Sequence, residues 1–353
     1  YYDLGGLYHV SSIFIGGGTP SILEAQQMRS IFDAIRSTFP VDSDAEITVE
    51  VNPGTVDKLK LMAYHNIGIN RLSIGLQSTD DQELKMLGRI HTYQDFLDTY
   101  FLAREAGFQN INVDLMSGIP FQTLGGWEDT IKRVAELAPE HISAYSLIIE
   151  EGTPFYEKYK FEAVLREAGK PTEHLPSEET EYEIYKKTQE ILAEAGYEHY
   201  EVSNYAKQGK EARHNIGYWK LVPYLGVGLG AASLIGEVRY SNIREIEAYI
   251  KACGNISAKE IDGVPALNLH ESADAISRHA QMEEFMFLGL RMLKGVTRTE
   301  FKETFGVEIE AVYGEVLNQL QEEDLIEKKA GVIKLSDHGM DISNYVLAQF
   351  LLD

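Results

Sequence analysis

Ser12-Ile13-Phe14-Ile15-Gly16-Gly17-Gly18-Thr19-Pro20-Ser21 is an apolar, β-branched run that stops at three glycines and reopens on a proline. The run predicts a strand, the glycines permit a turn that other residues adopt only with strain, and the fixed φ of Pro20 suits the first turn of a helix. Strand, turn and helix in so short a space is the opening of a βα unit. The same order returns along the following stretch, with strands predicted over residues 12–15, 46–51, 71–76, 110–115, 141–147 and a weaker one near 197–202. Between them Met28, Ile31, Phe32, Ile35 and Phe39, and then Leu97, Tyr100, Phe101 and Ala103, recur at helical spacing, with Gly107 closing the second helix. A doubly wound sheet and a β/α barrel both fit this alternation. Six consecutive units in one direction favour an α/β fold of the partial (β/α) barrel kind.

In such a fold chemistry gathers where strands end, and here the ends are polar: Gly16 to Thr19, Glu50 and Asn52, Gln77 and Ser78, Asp114, then Tyr145 and Ser146. Turns and helix caps account for any one of these. Five polar strand ends together point to a ligand site. At the glycines, bare backbone amides suit a charged small molecule; a tight strand-to-helix turn and a phosphate cradle are the other readings. The stretch lacks the Lys-Ser/Thr of a P-loop and the spacing of a dinucleotide fingerprint.

The chain has 353 residues, 44% hydrophobic and 25% charged, which predicts one large domain plus a smaller one. Its net charge of −23 repels a phosphate backbone, so no nucleic-acid partner is expected. The lone cysteine, Cys253, excludes an intrachain disulfide and, with no signal-like start, points to the cytoplasm. No apolar run reaches the ~18 residues of a membrane-spanning helix. Ser177 is expected to cap an acidic helix start, and the strand rhythm stops after Tyr240, with residues 256–272 reading as an irregular connector. The expected division is a barrel with its extension over 1–245, a connector over 246–281 and a C-terminal domain over 282–353. That last part reads as helices around 282–293, 299–305 and 309–322, a hairpin turning at Ala330-Gly331, and a final helix over 337–352, an order like a winged helix. With seven basic and fourteen acidic residues from Glu283 to Asp353, it is expected to pack or to interact rather than bind DNA. His270, His279 and His338 suggest only surface or capping roles.

Gly-Gly-Gly-Thr-Pro-Ser, Glu50-Val51-Asn52-Pro53, Ser73-Ile74-Gly75-Leu76-Gln77-Ser78, Leu87-Gly88-Arg89 and Asn112-Val113-Asp114-Leu115-Met116-Ser117-Gly118-Ile119-Pro120 occur in one order. The set resembles the radical S-adenosylmethionine enzymes of the oxygen-independent coproporphyrinogen III oxidase group, over nearly the whole chain. The resemblance implies that Gly17, Gly18 and Thr19 contact the methionine part of S-adenosylmethionine, with Arg89 near its carboxylate and Glu50, Gln77 and Asp114 on amino or ribose groups. A sulfonium ligand with an ammonium, a carboxylate and a vicinal diol asks for such a set; taken alone, Glu50 or Asp114 also reads as a structural carboxylate. The resemblance further implies a 4Fe-4S cluster on a Cys-x3-Cys-x2-Cys loop, which this sequence lacks. Either the cluster has been lost or the cysteines lie upstream; the start of the chain, one βα unit short of the family pattern, favours the second.

Arg213-His214-Asn215-Ile216-Gly217-Tyr218-Trp219 sets an imidazole beside two aromatic rings and the cations Arg213 and Lys220. An imidazole ligates heme iron, aromatics stack on a macrocycle and cations meet propionates; a packed core histidine is the other reading. The His-Asn-x-x-Tyr-Trp spelling resembles the HemW-like heme chaperone branch. That resemblance implies heme bound near His214, its transfer to an acceptor protein, with the membrane as one place to find it, and no coproporphyrinogen oxidase activity. The alternatives are the oxidase itself, which decarboxylates porphyrinogen propionates, and a scaffold that has kept only the fold. Glu283 to Arg291 also looks like that branch, but its Met and Phe spacing is that of core packing.

Overall fold

The computed structural model describes residues 5–352, and the chain forms two compact units, one up to His214 and one from Asn215. In the first unit a single sheet of seven strands runs β1 (Val10–Ile15), β2 (Val41–Val51), β3 (Arg71–Gln77), β4 (Ile111–Ser117), β5 (His141–Ser146), then β7 (Asn204–Ala206) and β6 (Glu198–Glu201). The first five are parallel neighbours in sequence order, each joined by a helical crossover, as a partial (β/α) barrel requires. The sixth expected strand departs from this rhythm. β6 turns straight back into β7, which pairs antiparallel with β5, so a hairpin ends the parallel run.

Residues along the parallel strands alternate between two surroundings. Ile13, Ile47, Val49, Leu72, Ile74, Val113 and Ile142 belong to one core with Met28, Phe32, Leu61, Tyr64, Phe96, Trp127 and Leu192 from the crossover helices. The intervening positions are polar: Ser12, Glu46, Thr48, Glu50, Arg71, Ser73, Asn112, Asp114, His141, Ser143 and Tyr145. All seven residues of β3 are buried, so both of its surroundings exclude water. Helix ends follow the local signals. Ser177 accepts from the Thr180 amide as expected, and Gly107, at φ +103°, follows the helix Tyr93–Glu105.

The second unit holds more strand than its sequence suggested. Ala232–Ile235, Val238–Asn242 and His270–Ala275 form an antiparallel sheet, and the stretch expected as irregular contains a hairpin, Ala258–Ile261 with Val264–Leu267. Its turn places Asp262 and Gly263 at φ +49° and +81°, the left-handed pair that suits a two-residue hairpin. His270 is buried rather than superficial, accepting from the Leu267 amide and lying against Tyr240. Beyond it come Arg278–Gly289, Val296–Thr297, Arg298–Phe305, Ile309–Glu322, Ile326–Lys329 and Val332–Leu335, three helices with a three-stranded sheet in winged-helix order. The hairpin turns at Ala330-Gly331 as expected, and the last expected helix divides into Asp337–Asp341 and Ser343–Ala348. Met286, Phe301, Ile309, Leu317, Ile333 and Phe350 form a core of their own, which places the Met and Phe spacing in packing.

Trp127, on Leu124–Glu136, is buried and donates its indole N–H to Thr188 Oγ1 at 2.8 Å on Glu178–Glu194, which fixes one helix against the other. Trp127→Ala is expected to cost about 3–5 kcal/mol of unfolding free energy. Thr188→Val, which strands the indole donor, is expected to cost about 1–3 kcal/mol. Urea unfolding measures both, and an unchanged midpoint in either variant contradicts this account of the packing.

Candidate functional site

Adjacent strands bring the polar positions into rows. Phe14, Thr48 and Arg71 are register partners across β1, β2 and β3; Glu50, Ser73, Asn112 and His141 form the next row, and Gly75, Asp114 and Ser143 the one after. At the end of β1 the glycines meet this surface. The Gly17 amide donates to Glu50 Oε2 at 3.0 Å. Gly17 and Gly18 have φ of +86° and +64°, and a Cβ on either would meet nothing within 4 Å. Their backbone therefore faces open space, and it is the left-handed conformation, not crowding, that requires glycine. Thr19 Oγ1 accepts from Asn52 Nδ2 at 3.0 Å, which joins the ends of β1 and β2.

At the end of β3 a bulge between Gly75 and Gln77 turns Gln77 to φ +76°, a conformation that costs a non-glycine residue about 1–3 kcal/mol. The distortion aims its side chain at Tyr145, whose hydroxyl donates to Gln77 Oε1 at 3.0 Å. Ser78 donates to Glu83 Oε2, and Gln122 Nε2 donates to the same oxygen, so Glu83 braces the loops after β3 and β4. Arg89 follows Gly88, which is at φ +72°, and its guanidinium is half-buried with no hydrogen bond or ion pair to the described residues.

Asp114 accepts from Ser73 Oγ at 2.9 Å and from Asn112 Nδ2 at 2.8 Å. The Asn112 carbonyl in turn accepts from His141 Nδ1 at 2.6 Å, which leaves His141 Nε2 to accept from the Tyr200 hydroxyl at 2.8 Å. Burial drives His141 well below its ordinary value, so the ring is neutral in this tautomer. Burial also pushes the Asp114 carboxyl up against the pull of its hydrogen bonds to Asn112 and Ser73. Glu50 is raised by burial, opposed by the Gly17 amide and helped by the nearby charge of Asp114. Tyr145 is pushed up to about 12 by burial; Asp114 and Glu50 add to the shift and Arg89 opposes it. Glu50, Gln77, Arg89, Asp114 and Tyr145 thus act on one another around the glycine turn. Two carboxyls raised by burial, an amide, a phenol and a guanidinium without a partner among the described residues can receive an ammonium, a diol and a carboxylate from one small ligand.

His214 lies elsewhere on the same strands. Its ring stacks on Phe14 with centroids 5.2 Å apart, and its Nδ1 is 2.9 Å from Ser12 Oγ. Glu46 accepts from the amides of Arg213 and His214, an acid at the start of the helix Arg213–Trp219. Glu46 precedes Glu50 by four residues, or about 13 Å along an extended strand, so the glycine site and His214 occupy different levels. Burial lowers His214 below its ordinary value. Arg213 pairs with Asp44. In the second unit Tyr218 stands edge-on to Tyr224, and Arg291 lies 4.4 Å over the Trp219 ring.

No group of three His, Cys, Asp or Glu side chains that would hold a metal exists among the described residues, and Cys253 is exposed. A 4Fe-4S cluster therefore finds no ligand set in these residues. For S-adenosylmethionine the open cradle at Gly17 and Gly18 and the donors around it do fit. Sequence reasoning missed Glu46, Arg71, Ser73, Asn112, His141 and Tyr200; the signal for most of them was a polar residue at every second position of an otherwise β-branched strand.

Residues 4–134 match the model of the Radical SAM superfamily, and residues 276–342 match the HemN C-terminal domain. The heme chaperone HemW of Bacillus subtilis is 37% identical over 97% of this chain and 86% of its own length. Its Escherichia coli counterpart is 33% identical over 98% and 85%. Among solved structures, the coproporphyrinogen III oxidase HemN of Escherichia coli, a radical SAM enzyme, superposes with a TM-score of 0.77 at 23% identity, over 97% of this chain and 78% of that one.

Asp114 and Glu50 carry a pH signature. A carboxyl in the unfolded chain releases its proton near pH 4, whereas both of these hold theirs to higher pH when folded. Across that window the folded state binds more protons, so their contribution to stability is full below about pH 4 and falls as pH rises through their raised values. Asp114→Asn and Glu50→Gln are each expected to flatten the decline seen in urea unfolding between about pH 4 and 7. Slopes equal to the parent's contradict the assignment.

Proposed function

The chain belongs to the radical S-adenosylmethionine superfamily, and from that premise we propose that it is a heme chaperone, binding heme and passing it to an acceptor protein. The observation that carries this reading is the similarity to HemW proteins along almost the whole chain, with the polar strand ends and His214 inside the matched length. Membership of the superfamily implies S-adenosylmethionine and a 4Fe-4S cluster, the pair from which a radical is generated. The described residues supply donors for the first of the two.

For S-adenosylmethionine the proposed roles follow from donor chemistry. Arg89 pairs with the methionyl carboxylate, and the open glycine turn at Gly17 and Gly18 with the Thr19 hydroxyl seats the same end. Glu50 takes the ammonium: a cation arriving beside a carboxyl raised by burial favours its ionised form. Gln77 and Asp114 take the ribose hydroxyls, with Ser73 and Asn112 holding the Asp114 carboxyl in place and Tyr145 fixing the Gln77 amide. His214 is the proposed heme contact. Its Nδ1 lies 2.9 Å from Ser12 Oγ, a hydrogen bond that orients the imidazole.

We keep the division at 1–245, 246–281 and 282–353 as a proposal, supported at its last boundary by the separate core around Met282, Phe301 and Phe350. A cytoplasmic location is likewise proposed; no helix of the described residues is long and apolar enough to cross a membrane. The acceptor is assigned only as a protein.

Two titrations test the reading. Hemin added to the purified protein is expected to give a shifted Soret band that His214→Ala loses; no shift, or equal binding by the variant, removes the heme contact. Calorimetry is expected to show S-adenosylmethionine binding weakened by about 1–3 kcal/mol in Glu50→Ala and in Asp114→Ala, and normal binding by both variants rejects the strand-end site. Turnover of coproporphyrinogen to a decarboxylated product would make the protein an oxidase instead.

A further inference from the structure

Arg71 opens β3, is 2% exposed, and makes no hydrogen bond or ion pair to the described residues; its Nε is buried without a partner. Its register partner on β2 is Thr48, fully buried, whose Oγ1 is likewise without a partner. Both stand at the polar positions of their strands, in the row of Phe14 and so beside the ring of His214. Two side chains at register-paired positions of neighbouring strands, each more than nine-tenths buried, therefore carry unmet donors. A stranded hydroxyl costs free energy, and a stranded guanidinium costs several kcal/mol unless an anion or a full set of acceptors meets it.

No charged or titratable group around Arg71 hydrogen-bonds it among the described residues. Glu46 accepts from the amides of Arg213 and His214. Asp114 accepts from Ser73 and Asn112. His141 is neutral, and Tyr200 is raised by burial with its hydroxyl given to His141, so neither supplies negative charge. Arg71 nonetheless acts electrostatically on Asp114, His141, Tyr200 and His214, which places its cation among them.

We propose that Arg71 and Thr48 form a binding site for a small monovalent anion, chloride being its simplest occupant, inside the partial barrel. A spherical anion accepts from a guanidinium and a hydroxyl together, which water also does, but only the anion sets a negative charge directly against the guanidinium. The site is independent of the heme and S-adenosylmethionine assignments. It lies between their residues, so its occupancy sets how much of the Arg71 charge reaches His214 on one side and Asp114 on the other.

The test uses the full chain. Melting temperatures are compared in sodium chloride and in sodium gluconate at equal ionic strength, and crystals grown in bromide are examined for anomalous scattering. The better-excluded gluconate should stabilise a protein that has no halide site, so a higher melting temperature in chloride marks specific binding. The expected results are that chloride-specific rise, its loss in Arg71→Met, an apparent chloride affinity about tenfold weaker in Thr48→Val, as for one hydrogen bond to a charge, and a bromide peak between the two side chains. Should Arg71→Met fail to fold, Thr48→Val and the bromide map still decide. Water bridging the pair, bromide only at surface positions, or a chloride effect unchanged in Thr48→Val overturns the proposal.

Discussion

Asp114 is a carboxyl that has to be kept among hydrogen-bond donors in the middle of a parallel sheet, and much of the first unit is arranged around that need. A carboxylate drawn this far from water is costly unless its oxygens are met. Ser73 reaches it from β3 and Asn112 from two residues back on β4. Asn112 in its turn donates to Ser73 and is oriented by His141 and Ser143 from β5, and His141 by Tyr200. Each member fixes the next, because the Asn112 amide presents its NH2 to Asp114 only while its carbonyl faces His141 and Ser143. Three strands are thereby locked in register from the polar side, while Leu72, Val113 and Ile142 lock the same register from the apolar side. A one-residue slip would reverse both surroundings at once.

That rigidity is what allows strain to be held at the strand ends. Gln77 in the left-handed region and the successive glycines after β1 are local conformations that a loose scaffold would relax. Here Gln77 is 3% exposed and tied to Tyr145 on β5, while Gly17 is tied to Glu50 on β2. Both ties cross between strands, so relaxing either turn means moving a strand whose register is already fixed.

The parallel strands, their crossover helices and the glycine turn were legible because each has a local cause: β-branched runs, helical periodicity, glycine where φ is positive. Glu50, Gln77 and Asp114 were legible as polar residues at strand ends. What escaped was non-local. Nothing within residues 197–206 announces that the chain reverses and pairs antiparallel with β5; that depends on the free edge of β5 at His141 to Ser143. The strands of residues 258–275 escaped because their alternation is short and polar, and their hairpin rests on a two-residue turn at Asp262-Gly263. Arg71 and His141 were missed because a charged or titratable residue inside a strand is ordinarily an exposed one, and only the three-dimensional alternation shows that here it faces inward.

The two levels of the polar surface differ in how their acids are used, and the difference follows from what each acid faces. Glu46 accepts from two backbone amides, those of Arg213 and His214, donors that are always present. Glu50 accepts from one amide beside an open glycine turn and near another carboxyl, and burial raises it above the ordinary carboxyl range. Two glutamates four residues apart on one strand, on the same side, thus divide into one whose oxygens are met by backbone and one left facing an open turn. The same strand pattern produces both, and only the partner that each meets decides between them.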